Sequence, residues 1–161
     1  MIGIQDYAYW MAFSHLPRWK TERINRLIID ILQERNISFN DFFDMNENDW
    51  SGEFNFNSKE LDDLKAAKLE LPNYSFLAED LLNQGFDLVP VNSEKYSKVL
   101  KHNLKTKYSP SLLYVKGNVE LLNEPSIAIV GSRNASSVSL NFTKKVAQNA
   151  VNNHEIVVSG F

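Results

Sequence analysis

The stretch from Ser126 to Ser137, SIAIVGSRNASS, carries residue types suited to holding an anion. An apolar run, 127–130, leads directly into Gly131, Ser132 and Arg133, and small polar residues follow before a predicted helix. A glycine lets the backbone approach a ligand closely, and unpaired N–H groups at the start of a helix favour anions. The arginine adds a planar guanidinium that matches two phosphate oxygens. The stretch therefore predicts a phosphate-binding turn.

A second strand end, Ser159-Gly160, follows the apolar run 156–158. In an open parallel sheet, ligands bind outside the carboxyl ends of the strands. If the two strands are neighbours, their ends lie about 5 Å apart. We therefore expect one phosphate-binding site, formed by Gly131, Ser132, Arg133, Asn134, Ser136, Ser159 and Gly160.

Two common nucleotide motifs do not occur in this turn. The dinucleotide fingerprint G-x-G-x-x-G would need glycines at positions 133 and 136, where Arg133 and Ser136 stand. The Walker pattern G-x-x-x-x-G-K-[ST] occurs nowhere in the chain. A simpler alternative is an arginine that caps a helix or forms a surface ion pair.

The residues after Gly85 alternate between strand and helix patterns. Predicted strands cover 86–91, 111–117, 126–131 and 155–160, with helices at 93–103 and 139–153 and a helical turn at 119–123. This alternation is typical of right-handed βαβ units on a parallel sheet. A doubly wound sheet rarely stops after one such unit. We therefore expect a fragment that lacks the remainder of its sheet.

The residues before Gly85 have a helical pattern. Residues 21–32 carry a one-sided apolar stripe with Thr21 as cap, and a helix at 6–15 is expected to end before Pro17. Further helices are predicted at 58–69, capped by Ser58 and followed by Pro72, and at 75–85, with Gly85 in left-handed geometry. Residues 43–59 have the composition of a loop. The predicted fold class is α/β, with a small helical domain (1–84) followed by a Rossmann-like parallel sheet (85–161) that is incomplete at its C-terminus.

Charge divides the chain into two parts. Residues 1–90 carry 8 Lys and Arg against 16 Asp and Glu, whereas residues 91–161 carry 9 against 4. This asymmetry predicts two modules, of which the second meets a polyanion. The alternative is that the two parts simply attract each other.

The composition also indicates in which cellular compartment the protein is expected. The chain has 161 residues and no cysteine, which excludes disulfides and fits a reducing compartment. No run of about 18 apolar residues and no signal peptide is present. We therefore expect a cytoplasmic protein with no membrane partner.

The segment 93–107 is rich in lysine. If its helix persists, Lys95, Lys98, Lys101 and Lys105 span an arc of about 120°. Lys98, Lys101 and Lys105 are therefore candidate contacts to a DNA backbone, although a solvated helix face explains them equally well. For most of the tryptophans and phenylalanines, packing in the core is a better explanation than base stacking.

The sequence offers no supported catalytic group. The three histidines lack metal-ligand spacing, and no pair of a nucleophile and a base stands out. We expect no enzymatic activity, no metal and no cofactor.

Taken together, the second half resembles the DNA-processing protein A (DprA/Smf) family. The resemblance rests on Tyr96 to Leu100, Pro110 to Asn118, Gly131-Ser132-Arg133 and Val158-Ser159-Gly160, in the family's order and spacing. This chain departs from the family pattern at several positions: Ser97, Ser136, Val138 and Ser139, and residues 16–20 (LPRWK) in place of Leu-Pro-Gly-Leu-Gly.

The resemblance implies a protein that binds single-stranded DNA without reading its sequence. It also implies loading of the RecA recombinase during natural transformation and a homodimer in the full-length protein. Residues 1–84 would correspond to the family's helical domain, of the SAM or helix-hairpin-helix type, and Arg133 would lie in the DNA pocket.

Two other readings remain open. The same type of phosphate corner occurs in Rossmann-like nucleotide-binding enzymes and nucleotide sensors. The chain would instead be an interaction module if it lacked a competent pocket.

Overall fold

The computed structural model describes residues 3–160, and these fall into two compact units. The first unit runs up to Val119 and the second begins at Glu120. This division lies later in the chain than the predicted domain boundary after residue 84, which stays a prediction. The mixed α/β class, with a helical N-terminal part followed by strands, is confirmed.

The first unit is mainly helical. Its helices are α1 (Ile4–Ser14), α2 (Thr21–Ile29), α3 (Phe39–Asp44), α4 (Glu47–Phe54), α5 (Ser58–Asn83) and α6 (Lys98–Tyr108), and its strands are β1 (Phe86–Pro90) and β2 (Leu112–Lys116). A π-helical turn, Asp30–Glu34, extends α2. A 3₁₀ turn, Val119–Asn123, precedes the strands of the second unit.

Aromatic side chains form the centre of the first unit. The rings of Phe13, Phe42 and Phe43 lie between 5.1 and 5.6 Å from one another and are almost fully buried. Trp50 stacks on Phe42, and its indole N–H donates to the Phe42 carbonyl at 2.9 Å. A buried tryptophan needs such an acceptor for its N–H group. The prediction that most tryptophans and phenylalanines pack in the core is confirmed.

Residues 43–59, predicted to be a loop, are instead largely helical. Asn46 caps α4 by accepting from the N–H groups of Asn48 and Asp49, and the Asp49 carboxylate accepts in return from the Asn46 N–H at 3.0 Å. Asparagine and aspartate destabilise a helix when they lie in its interior, but they stabilise the helix when they cap its N-terminal end. The loop prediction was wrong because the caps were read as loop residues.

The prediction of two helices at 58–69 and 75–85 was also wrong, because one continuous helix, α5, covers them and contains Pro72. Asn57 rather than Ser58 caps it, in a reciprocal pair with Glu60. A proline inside a helix removes one backbone hydrogen bond. The helix continues because Leu64 and Ala78, on either side of the proline, are both fully buried and α5 packs along α1. Gly85 has the predicted left-handed geometry, with φ at 81°.

The strands β1 and β2 pair antiparallel, from Phe86 opposite Lys116 to Pro90 opposite Leu112. This corrects the expectation that they belong to one parallel sheet. The helix between them, α6, packs against α2. It therefore does not act as the crossover helix of a βαβ unit, and the chain returns in the opposite direction.

The second unit contains the predicted parallel pairing. It consists of β3 (Ser126–Ile129), α7 (Ser137–Asn152) and β4 (Ile156–Ser159). The two strands pair in parallel and α7 contacts both. Ala150 of α7 is buried, whereas Phe142 and Val151 are exposed.

We predict that Pro72→Ala raises the free energy of unfolding by about 2 kcal/mol, because alanine is about 3 kcal/mol more favourable than proline inside a helix while proline restricts the unfolded chain. Urea denaturation followed by circular dichroism measures the change. The control Glu79→Ala, an exposed position on the same helix, should stay within about 0.5 kcal/mol of wild type. A Pro72→Ala protein that is no more stable than wild type would contradict a continuous α5.

Candidate nucleic-acid interface

The candidate site lies at the carboxyl ends of β3 and β4. Their register places Ile129 opposite Ser159, so the chain leaves β3 towards Gly131 directly beside Gly160. The prediction that the two strand ends are neighbours is therefore confirmed. Both ends are exposed, with Val130 at 89% of its full accessibility.

The residues between β3 and α7 form an exposed turn with its own hydrogen bonds. The Asn134 N–H donates to the Ser132 hydroxyl at 3.2 Å. Ser136 caps α7, because its hydroxyl oxygen accepts from the Ser139 N–H at 3.2 Å. The Ser136 and Ser139 hydroxyl oxygens lie 3.0 Å apart. These two serines therefore help to start α7, and for Ser136 this structural role is additional to the predicted phosphate contact.

The start of α7 favours a negative charge. The first N–H groups of a helix have no acceptor within the helix, and they carry a partial positive charge. The first turn of α7 contains no acidic side chain that would neutralise this charge. An anion beside Ser136 and Ser137 would therefore meet a favourable field.

Arg133 is the cation of this turn. Its side chain is exposed, and within residues 3–160 it forms no ion pair with a carboxylate. The alternative that Arg133 forms a surface salt bridge is therefore not supported in the described part of the chain. Its guanidinium has its donors available for phosphate oxygens.

The two glycines of the site leave open space around the backbone. Apart from the glycine itself and its two chain neighbours, a Cβ atom added to Gly131 or to Gly160 would meet no protein atom within 4 Å. Neither residue has a positive φ angle. The protein itself therefore does not require glycine at these positions, whereas a ligand that approaches the backbone closely would.

The surplus positive charge of residues 91–161 belongs to the part of that range that lies in the first unit. In the second unit Arg133, Lys144 and Lys145 are balanced by three glutamates. The surplus lies in residues 91–119 of the first unit, which carry six lysines and one glutamate. Within the second unit, the turn therefore combines one arginine with no surplus of positive charge.

The lysines of α6 do not form the single helical arc on which their prediction depended. Lys95 precedes the helix, and Lys105 interrupts it with φ at 51° and ψ at −166°. Lys101 donates to the Val91 carbonyl at 3.0 Å. Contacts of Lys98, Lys101 and Lys105 with a DNA backbone stay a prediction.

Other residues on which the family resemblance rests have structural roles. The buried Tyr96 donates its hydroxyl to the Pro110 carbonyl at 2.8 Å, and burial raises the pKa of this phenol. Ser97, at a position where the family has proline, caps α6 by accepting from the Leu100 N–H. These residues hold the segment between β1 and β2 in place.

Sequence reasoning missed the role of Asn25. Its side-chain amide is buried and donates to the carbonyls of Thr106 and Ser109, which joins α2 to the end of α6. The available signal was a polar residue beside the apolar stripe of α2. Its partners, about 80 positions further along the chain, could not be read from that pattern.

Two further observations concern the described residues as a whole. No group of three or more histidine, aspartate and glutamate side chains in residues 3–160 is arranged to hold a metal ion. Within the same residues, no helix has the length and apolar character needed to cross a membrane.

Comparison with known proteins gives a partial match. Residues 87–161 match the model of the family described as DNA recombination-mediator protein A. The DNA processing protein DprA of Streptococcus pneumoniae (strain ATCC BAA-255 / R6) is 42% identical over 52 residues, which are 32% of this chain and 18% of that protein. The match thus spans less than a fifth of that relative's length, and no solved structure matches the chain. The part of the chain that is similar to the DNA recombination-mediator protein A family, residues 87–161, contains the whole β3–α7–β4 site.

Proposed function

We propose that the chain takes part in DNA processing and recombination by binding single-stranded DNA at the turn between β3 and α7. The observation that carries this proposal is the parallel register, which places the exposed Gly131-Ser132-Arg133 turn beside Ser159 and Gly160. Backbone N–H groups, hydroxyls and one guanidinium are thereby brought to the same edge of the two-stranded sheet. These groups suit the oxygens of a phosphodiester.

The proposed contacts do not read bases. Arg133 meets phosphate oxygens, Asn134 and Ser136 add a polar amide and a hydroxyl, and the glycines let the backbone approach the strand. Contacts to phosphate and sugar position a strand but carry no sequence information. Binding at this turn is therefore independent of sequence, and its affinity falls with salt concentration.

The lysines of residues 95–107 are proposed to contribute to DNA binding by electrostatic attraction. They lie in the first unit and supply attraction over roughly the Debye length, about 8 Å at physiological salt. Lys98, Lys101 and Lys105 are the proposed backbone contacts within this group. Their removal should weaken binding of all DNA sequences by a similar factor.

The larger cellular role rests on the family alone. By this proposal the full-length protein is a non-catalytic cytoplasmic homodimer that loads the RecA recombinase onto single-stranded DNA. The similarity of residues 87–161 to the DNA recombination-mediator protein A family supports this role.

We predict that Arg133→Ala weakens binding of single-stranded DNA about tenfold, because a charge-assisted hydrogen bond to phosphate is lost. Fluorescence anisotropy with a labelled oligonucleotide of mixed sequence, measured between about 50 and 300 mM salt, gives both the affinity and its salt slope. The slope should fall by about one.

The matched control for this variant is Lys145→Ala, which removes one exposed positive charge from the same unit. It should change the affinity by less than about threefold, since an exposed charge without a phosphate contact is largely screened. If Arg133→Ala and Lys145→Ala weaken DNA binding equally, the affinity depends on the overall positive charge and not on a specific site at this turn. A mononucleotide that stabilises the protein when an oligonucleotide does not would favour a nucleotide enzyme or sensor instead.

We also predict that Gly131→Ala weakens DNA binding about tenfold without destabilising the protein. The added methyl group meets no protein atom within 4 Å, so the free energy of unfolding should stay the same or rise by up to about 1 kcal/mol. The same methyl group occupies the space through which a phosphate approaches the backbone. Anisotropy and urea denaturation measure the two quantities on one sample.

Gly52→Ala is the matched control, because its Cβ atom also meets nothing within 4 Å and it lies on α4 in the first unit. It should leave DNA affinity unchanged. If Gly131→Ala binds DNA as well as wild type, the strand does not approach the backbone at this turn.

A further inference from the structure

The long helix α5 carries two large apolar side chains that do not pack in the first unit. Leu69 and Phe76 keep 79% and 70% of their full accessibility. On the opposite side of the same helix, Leu64 and Ala78 are fully buried, and this side packs along α1. The core of the first unit is therefore complete without Leu69 and Phe76, and the outer side of α5 presents them to solvent.

The two exposed residues lie on one line along the helix. A separation of seven residues is close to two full turns, so the two side chains share one face and are about 10 Å apart along the helix axis. Single exposed apolar residues are common on protein surfaces, whereas a row of them on one face marks an interaction surface. We therefore examined which partner the polar residues around Leu69 and Phe76 would fit.

The residues on this face have a symmetric spacing. We define the α5 face by Lys65, Leu69, Pro72, Asn73, Phe76 and Asp80. The intervals between them are four, three, one, three and four residues, which is the same series from either end. A two-fold axis between Pro72 and Asn73 would place Leu69 of one copy level with Phe76 of another. The same axis would place Lys65 level with Asp80. A surface that is complementary to itself in this way meets the requirement of an isologous interface.

The charges favour one direction and one register of such a pairing. If two α5 helices ran in the same direction, Lys65 would meet Lys65 and Asp80 would meet Asp80, and like charges in contact are unfavourable. In the antiparallel direction, unlike charges meet at both ends of the face. An antiparallel register with Phe76 opposite Phe76 would place Leu69 level with Asn83 and lose the contact between the two apolar residues. The register centred between residues 72 and 73 is therefore favoured.

The charged groups at the two ends of the α5 face are able to make these contacts. Within residues 3–160, Asp80 forms no ion pair with lysine or arginine, and its carboxylate accepts from the Gln84 amide at 2.7 Å. The Lys65 ammonium group lies 2.6 Å from the Glu47 carboxylate, and 42% of the Lys65 side chain is exposed. An ammonium group has three donors, so Lys65 can bind a further carboxylate.

We propose that the α5 face binds the α5 face of a second copy of this chain, with the two helices antiparallel, Leu69 packed on Phe76 and Lys65 paired with Asp80. An unrelated partner would not require this symmetric spacing of charged and apolar residues. The α5 face lies outside residues 87–161, the part of the chain that is similar to the DNA recombination-mediator protein A family. The inference therefore goes beyond the homodimer of the proposed function, which rests on the family, and it does not depend on DNA binding.

The first test measures self-association of the whole chain by sedimentation equilibrium. One pair of helices gives a small interface and a weak dimer, so the protein concentration should extend from about 5 to 500 µM. Phe76→Ser should weaken the dimer at least tenfold, because it removes an apolar side chain from the centre of the contact. The matched control Val99→Ser removes an exposed apolar side chain from α6 and should leave the dissociation constant unchanged. A wild-type chain that stays monomeric, or a dimer that Phe76→Ser does not weaken, overturns the proposal.

The second test exchanges the charges. Asp80→Lys sets lysines opposite each other, and Lys65→Glu sets carboxylates opposite each other, so each variant alone should dimerise at least tenfold more weakly than wild type. A mixture of the two variants has an attractive pair at both ends of the face and should form a heterodimer. Circular dichroism establishes that each variant is folded. Folded variants that do not associate when they are mixed contradict the pairing of Lys65 with Asp80.

A cross-link tests the position of the two-fold axis. The chain contains no cysteine, so one introduced cysteine can form a disulfide only with a second copy. Asn73→Cys lies beside the axis and should give a covalent dimer on mild oxidation, whereas Ser51→Cys, exposed on α4, should not. Equal yields from both variants would contradict this axis. None of these measurements contains DNA, so their outcome is separate from that of Arg133→Ala, which tests binding at the turn after β3.

Discussion

The parallel pairing of β3 with β4 is the constraint on which the candidate site depends. The two strands have four residues each, and one register, from Ser126 opposite Ile156 to Ile129 opposite Ser159, decides which strand ends lie together. A slip of one residue would turn every side chain of a strand to the other face. It would also move Gly160 out of line with Gly131. The helix α7 contacts both strands and closes the crossover between them, which limits such a slip.

The surplus of lysines and the candidate phosphate-binding turn belong to different units of this chain. The turn after β3 offers hydroxyls, open backbone and a single arginine, whereas the lysine surplus belongs to residues 91–119 of the other unit. Screening limits the reach of exposed charges to about 8 Å at physiological salt. Under the proposed function, each group of cations therefore acts only on the part of a strand that passes close to it, and a phosphate at the turn would be held by hydrogen bonds from the turn itself. On that proposal, the space around Gly131 matters as much as the charge of Arg133.

The sequence predicted the parts of the fold in which local chemistry and tertiary structure agree. The parallel pair, the left-handed Gly85 and the aromatic core followed from patterns within short windows. The antiparallel pairing of β1 with β2 did not, because α6 packs on α2 and a strand–helix–strand pattern does not reveal where the helix packs. The continuity of α5 through Pro72 was missed for a similar reason, since burial of Leu64 and Ala78 outweighs the local cost of a proline. In the site, the neighbouring strand ends were predictable, whereas the empty space beside Gly131 and Gly160 was not.

The segment between α6 and β2 is held in place by side chains from other parts of the first unit. Asn25 holds the carbonyls of Thr106 and Ser109 from α2, and Tyr96 holds the Pro110 carbonyl from the other end of the same segment. These bonds use backbone acceptors, so they fix the chain whatever side chains the segment itself carries. Loss of the Asn25 amide would leave both carbonyls without this donor, and a polar group that loses its partner in the interior costs free energy. The path of the chain from α6 to β2 therefore depends on a polar residue of α2 that no pattern within a short window identifies.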